Sequence, residues 1–144
     1  MKKHFIILAT LFLLPVLSSG QSTDPFISKC AMNTGTNSTY LKDFRVQLGK
    51  GNSQTELRYK QVFPLSKNMK YRFTLCNSDN SKSELIMKVK DDAGRLVLAS
   101  FDQKSGKTFP SIDFVCNKTG TYQLYFDFRD FQQGLGVGII SLVK

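Results

Sequence analysis

From Tyr40 onward the chain alternates apolar and polar residues with a period of two, and the pattern returns at intervals near ten residues. Side chains along an extended strand point to opposite faces in turn, whereas on a helix they return every 3.6 residues. The pattern therefore describes half-buried strands, not amphipathic helices. Tyr40 to Leu48 puts Phe44, Val46 and Leu48 on one side, with Lys42 and Arg45 among the polar positions. Glu56 to Leu65 opposes Leu57, Tyr59 and Phe63 to Glu56, Arg58 and Lys60, and Met69 to Cys76 opposes Tyr71, Phe73 and Leu75 to Lys70, Arg72 and Thr74. Leu85, Met87 and Val89 face away from Ile86, Lys88 and Lys90; Ile112 and Phe114 face away from Asp113. Tyr122, Leu124, Phe126 and Phe128 share one side of the run from Thr121. Arg95 to Phe101 is more continuously apolar, as an inner strand is, and Leu135 to Val143 is rich in β-branched residues.

The segments between these runs carry turn chemistry: Gly49 to Ser53, Ser66 to Asn68, Asn77 to Ser83, Lys104 to Lys107, Lys118 to Gly120 and Asp130 to Gly134. Asp91-Asp92-Ala93-Gly94 reads as a compact hairpin, with Gly94 free to take a positive φ. Short strands so spaced, with no long helical segment between them, predict an all-β fold: a single antiparallel β-sandwich or jelly roll of about eight strands over residues 40–144. A closed barrel is the competing architecture, but it calls for longer strands and a roomier interior.

Upstream, Lys2 and Lys3 precede 13 apolar residues from Phe5 to Leu17, followed by Ser18-Ser19-Gly20. A bilayer core of about 30 Å needs about 20 apolar residues, so residues 1–20 read as a cleaved signal peptide, with export to the periplasm, cell surface or medium. Residues 21–39 read as a leader to the sandwich, and no later stretch is long enough to span a membrane. The only histidine, His4, falls in the signal segment. The exported chain then lacks His-based acid–base catalysis, His-activated nucleophiles and most transition-metal sites. Three cysteines, Cys30, Cys76 and Cys116, enter an oxidising compartment, so one bridge and one free thiol, or an intermolecular link, are expected. Cys76 and Cys116 each close a strand before a polar turn and form the favoured pair. Their parity opposes it, since Cys76 shares a face with Arg72 and Cys116 with Phe114, and both Cys30 pairings stay open.

Three stretches carry a resemblance: Tyr71 to Ser78, the hairpin Lys90 to Arg95, and Phe114 to Tyr122 with its Thr119-Gly120-Thr121-Tyr122 turn into a strand. Together they resemble the pre-peptidase C-terminal (PPC) type of β-sandwich, and also a group of small exported proteins of Bacteroidota-type bacteria. The resemblance spans roughly residues 40–143. It implies a jelly-roll-like sandwich and an accessory role beside exported enzymes, with no catalytic residues to carry over.

Charge narrows the function. Without Lys2 and Lys3 the basic residues number 18 against 11 acidic ones, a net charge of +7. Arg58, Lys60, Lys70, Arg72, Lys88 and Lys90 all point away from the core on three consecutive runs. If those strands were neighbours, they would form one cationic face that attracts an acidic glycan, a lipid phosphate or an acidic envelope protein. Nucleic acid is not an expected partner, because export separates the two and no aromatics interleave with these cations. Off-parity aromatics Tyr125, Phe101 and Phe131 are the candidates for exposed contacts, with Phe131 in its turn the preferred one. Asp79, Asn80 and Glu84 on one turn and Asp91 and Asp92 on another lack the spacing of a calcium loop. Asp113 and Asp127 are the one acid pair to weigh for glycoside hydrolysis, which needs two carboxyls facing each other. Gly134, Gly136 and Gly138 alternate within a strand and open no helix, so they are not a phosphate loop. No catalytic role and no cofactor are expected. The leading expectation is an exported binding or accessory sandwich; the alternative is a structural subunit of an outer-membrane or cell-surface complex.

Overall fold

The computed structural model describes residues 24–52 and 56–144; the expected signal segment, residues 1–20, lies outside them. The alternating runs become β1 (Ser38–Leu48), β2 (Tyr59–Leu65), β3 (Lys70–Asn77), β4 (Leu85–Lys90), β5 (Leu96–Ala99), β6 (Ser111–Val115), β7 (Gly120–Phe128) and β8 (Gly134–Val143). They form two antiparallel sheets, ordered β1-β8-β3-β6 and β2-β7-β4-β5. The pairs β1 with β8, β2 with β7, β3 with β6 and β4 with β5 nest about the β4–β5 hairpin. They trace one long antiparallel ribbon folded over on itself, which β3–β8 and β4–β7 pairing stitches into two layers. That arrangement is a jelly roll. The hairpin turns as its residues require: Gly94 takes φ 79° and its N–H donates to the Asp91 carbonyl at 3.0 Å.

The core is built from the parity already visible in the chain. Phe44, Val46, Tyr71, Phe73, Leu75, Leu85, Met87, Val89, Tyr122, Leu124, Phe126 and Phe128 meet between the layers as one buried cluster. The alternating glycines of β8 belong to it. A Cβ at Gly138 would lie 2.6 Å from Phe126 Cε1, and one at Gly134 would lie 2.5 Å from Phe128 Cε1. Each ring thus lies against bare backbone, and the Phe126 ring also meets Phe44 at 5.6 Å and Tyr59 at 6.0 Å between centroids. Gly138→Val is expected to destabilise the fold by about 1–3 kcal/mol through overpacking, read as a lower urea midpoint with an unchanged slope.

The segment before β1 is built into the fold. Asp24 caps a helix, α1 (Pro25–Ala31), by accepting from the Phe26 N–H at 2.9 Å, and Pro25 opens its first turn. A 3₁₀ turn follows at Met32–Thr34. The helix lays Ile27 and Cys30 on the outer side of the first sheet, over Val137 and Ile139 of β8. This explains why β8 is apolar at successive positions, since a strand covered on both faces loses its alternation.

A disulfide fixes that contact. Cys30 bonds to Cys76, with Cα atoms 5.8 Å apart, and Cys116 is a buried free thiol. The favoured Cys76–Cys116 bridge is therefore corrected. Cys76 follows Arg72 onto the outer face of the first sheet, beneath α1, while Cys116 points into the core. There its Sγ donates to the Lys118 carbonyl at 3.1 Å and lies 3.5 Å from the Tyr122 hydroxyl. Burial, followed by the Cys116 thiol, pushes the Tyr122 hydroxyl up to about 12, so it stays protonated and donates to the same carbonyl at 2.6 Å.

Candidate functional site

The jelly roll separates the six cations expected to share a face. Because β3 crosses to the other layer, Lys70 and Arg72 lie on the outer face of the first sheet, and Lys60, Lys88 and Lys90 on that of the second. The first pair is already matched. Arg72 grips Asp113 through Nε and Nη2 at 2.7 and 2.9 Å, and Lys70 Nζ lies 3.6 Å from the same carboxylate. The Arg72 guanidinium, with Lys70 adding to it, holds the Asp113 carboxyl below its ordinary value against the opposing effect of burial.

Arg58 is not a surface cation either. It lies just before β2, largely buried, and clasps the fully buried Asp127 of β7. Asp127 accepts from Arg58 Nη2 at 2.9 Å, from its Nε at 3.0 Å, from its backbone N–H at 3.0 Å and from the Phe128 N–H at 2.7 Å. Arg58 also donates to the Gly49 carbonyl at 2.7 Å and the Gln132 carbonyl at 3.2 Å, so one guanidinium ties together the β1–β2 and β7–β8 connections. Asp113 and Asp127 therefore stand on different sheets, each engaged by its own arginine, and the structure does not bring them together as an acid pair.

Phe131, the preferred exposed contact, is half-buried in the 3₁₀ turn Arg129–Phe131. Asp130 and Phe131 both take left-handed backbone, φ 57° and 53°, and the Phe131 carbonyl accepts from the Gly51 N–H at 2.8 Å. Phe101 is half-buried and lies under the Arg129 guanidinium, 4.8 Å from the ring centroid. The acidic turns are structural. Asp91 accepts from the Ala93 and Arg95 N–H groups at 3.0 and 2.8 Å, and these with the Arg95 side chain hold its carboxyl below the ordinary value. Among the described residues no group of three or more His, Cys, Asp or Glu is placed to hold a metal ion.

Register assembles a different cluster on the second sheet. Tyr125 of β7 stands directly between Lys60 of β2 and Lys88 of β4. One pleat along, Gln123 stands between Val62 and Lys90. The two rows continue onto β5 at Ala99 and Leu96. Lys60 Nζ and Lys90 Nζ lie 5.5 and 5.0 Å from the Tyr125 ring centroid, within cation–π range, and the Tyr125 hydroxyl donates to Gln123 Oε1 at 2.8 Å. The ring thus gathers two ammonium groups that would otherwise repel each other.

A carboxylate already occupies the cluster. Glu56, which is exposed, accepts from Lys90 Nζ at 2.8 Å. Its carboxyl is held below the ordinary value of 4.5 mainly by that hydrogen bond and also by the charges of Lys90, Lys88 and Lys60. All three lysines therefore act on one carboxylate position. Parity alone placed Lys60, Lys88 and Lys90 outward and left Tyr125 off the core side. It missed Gln123 and Val62, although both share the outward parity of their neighbours, because their place depends on which strands pair.

Among the described residues, no helix is long and apolar enough to cross a membrane. No protein-family model matches the chain, and no curated protein is significantly similar to it.

Proposed function

We propose that this protein is a non-enzymatic binding module of the exported fraction that takes an acidic polysaccharide on the outer face of its second sheet. One observation carries the reading: Lys60 and Lys90 lie against the Tyr125 ring, Lys88 stands beside it in register, and Lys90 bonds the Glu56 carboxylate, which the charges of all three hold below its ordinary value. Glu56 marks the position a uronate carboxylate would take. Lys60 and Lys88 stand two strand spacings apart, about 10 Å, so an extended chain lying across the strands meets a cation on either side of the ring. Tyr125 and Gln123 add an apolar edge and an amide suited to sugar C–H and hydroxyl groups. The accessory role implied by the PPC-type resemblance fits such a module, which would hold a partner enzyme near its polymer. The disulfide is compatible with the oxidising compartment that this reading requires.

Titration with polygalacturonate and with a neutral glucan tests it. The acidic polymer is expected to bind, with affinity falling as salt rises, because exposed charges are screened within about 8 Å at physiological ionic strength. Lys60→Glu with Lys88→Glu should abolish binding. Lys70→Glu should leave it unchanged, because Lys70 faces the other way. Glu56→Gln should tighten binding about 1.5- to 5-fold, since an exposed pair of this kind contributes roughly 0.2–1 kcal/mol and the ligand no longer competes with it. With a sulfated polymer, which stays charged in acid, affinity should rise as pH falls below 4.5, where Glu56 takes up a proton and releases Lys90. Unchanged affinity in the double charge reversal would overturn the assignment.

A further inference from the structure

At one end of the sandwich the β3–β4 and β7–β8 connections come together with Gly49 at the end of β1, beside the first sheet, whereas the Tyr125 rows lie on the outer face of the second. Two clefts open there, of about 430 and 440 Å³, each within the range of a small-molecule site. They share Ser78, Asn80 and Leu135, so they form one continuous groove. It runs from the Cys30–Cys76 bridge, past the β3–β4 loop, to Gly49 at the end of β1.

Five amides line the groove beside its apolar surface. Asn77 is committed, accepting from the Leu85 N–H at 2.6 Å, and Asn33 donates to Cys76 Sγ at 3.6 Å. Gln47, Asn80 and Gln133 also line the groove and hydrogen-bond through their side chains to no other described residue. The charges in the lining balance, with Lys29 against Asp79, and Phe26 and Leu135 supply apolar surface. A primary amide presents two donors beside an acceptor with two lone pairs, which matches adjacent hydroxyls that each donate and accept. It offers no net charge to a carboxylate or phosphate. The chemistry of this groove is thus opposite to that of the lysine cluster.

We infer that the loop-end groove is a second binding site, which takes a neutral oligosaccharide through Gln47, Asn80 and Gln133. The site is independent of the sheet-face site and stands whether or not acidic polymer binds there.

The test is an NMR titration of the ¹⁵N-labelled protein with three neutral hexasaccharides, β-1,4-linked glucose, mannose and N-acetylglucosamine. At least one is expected to shift the side-chain amide resonances of Gln47, Asn80 and Gln133. Gln47→Ala with Gln133→Ala should weaken that binding at least tenfold, about what removal of two hydrogen-bonding groups costs. The Asn80 resonance, untouched by these changes, reports on the site in the double variant, where its shift should require at least tenfold more sugar. Lys60→Glu with Lys88→Glu should leave the shifts intact. Silence of the three amides toward all three sugars would overturn the inference, as would an Asn80 shift that keeps its full affinity in Gln47→Ala with Gln133→Ala.

Discussion

Replacing Asp127 with alanine is expected to cost about 3–5 kcal/mol, the effect of removing one partner from a buried ion pair. The carboxylate is wholly buried, and its loss orphans the Arg58 guanidinium, the Arg58 N–H and the Phe128 N–H together. The damage spreads to the Gly49 and Gln132 carbonyls, which rely on an Arg58 held in place from the other side. A loss of that size is a large share of the roughly 5–15 kcal/mol that holds a domain of ordinary stability together. Urea denaturation of the purified protein measures it. The partner experiment separates a structural clasp from a coincidence of charges. Arg58→Ala alone should be comparably harmful, and the double variant should fall well short of the sum, since the second change removes a group already stranded. Additive losses would mean that the two side chains stabilise the fold by separate contacts.

Loss of the Cys30–Cys76 bridge is the second large effect. The bridge joins residues 46 apart, and opening a loop of that length returns roughly 4 kcal/mol of conformational freedom to the unfolded chain. Cys30→Ser with Cys76→Ser should therefore lower stability by about that amount. The native side matters as well: without the bond, α1 still packs Ile27, Phe26 and Ala31 on Val137 and Ile139, and its cap residue Asp24 still pairs with Arg45 of β1, but the covalent tie to β3 is gone. Amide hydrogen exchange in β8 should accelerate in the double variant at Val137 and Ile139, ahead of the β8 residues that α1 does not cover. Thiol titration gives the complementary reading. The wild-type chain should yield one reactive thiol, Cys116, and only after unfolding, because the residue is buried. A bridge recovered between Cys76 and Cys116 by mass mapping would refute the pairing.

The inward set on every strand was legible without coordinates. Phe44, Tyr71, Phe73, Met87, Leu124 and Phe126 announce themselves because alternation is a local property, set by the pleat and by the preference of apolar groups to leave water. Gly94 at the hairpin was legible for a similar reason, since only local backbone geometry demands it. The sequence even held the objection to its own favoured disulfide: the parity that placed Cys76 with Arg72 and Cys116 with Phe114 set them on opposite faces. What it lacked was a rival partner. Asp24-Pro25 is a helix-start signal, but a single short helix gives too little periodicity to reveal which surface it covers, and Cys30 reaches Cys76 only through that docking.

The cationic face shows the same division. Local pattern decided that Lys60, Lys70, Arg72, Lys88 and Lys90 leave the core, and that Tyr125 stands apart from the aromatic stripe of β7. Only the tertiary structure decided which of them are neighbours. Strand order is a long-range property, and in this folded ribbon β2, β3 and β4 alternate between layers, so β3 carries Lys70 and Arg72 to the far side, where Asp113 meets them. Buried Asp127 shows the limit most clearly. Its outward parity matches that of a solvated surface acid, and it becomes the anchor of two loops only because the chain brings Arg58 over it from 69 residues away.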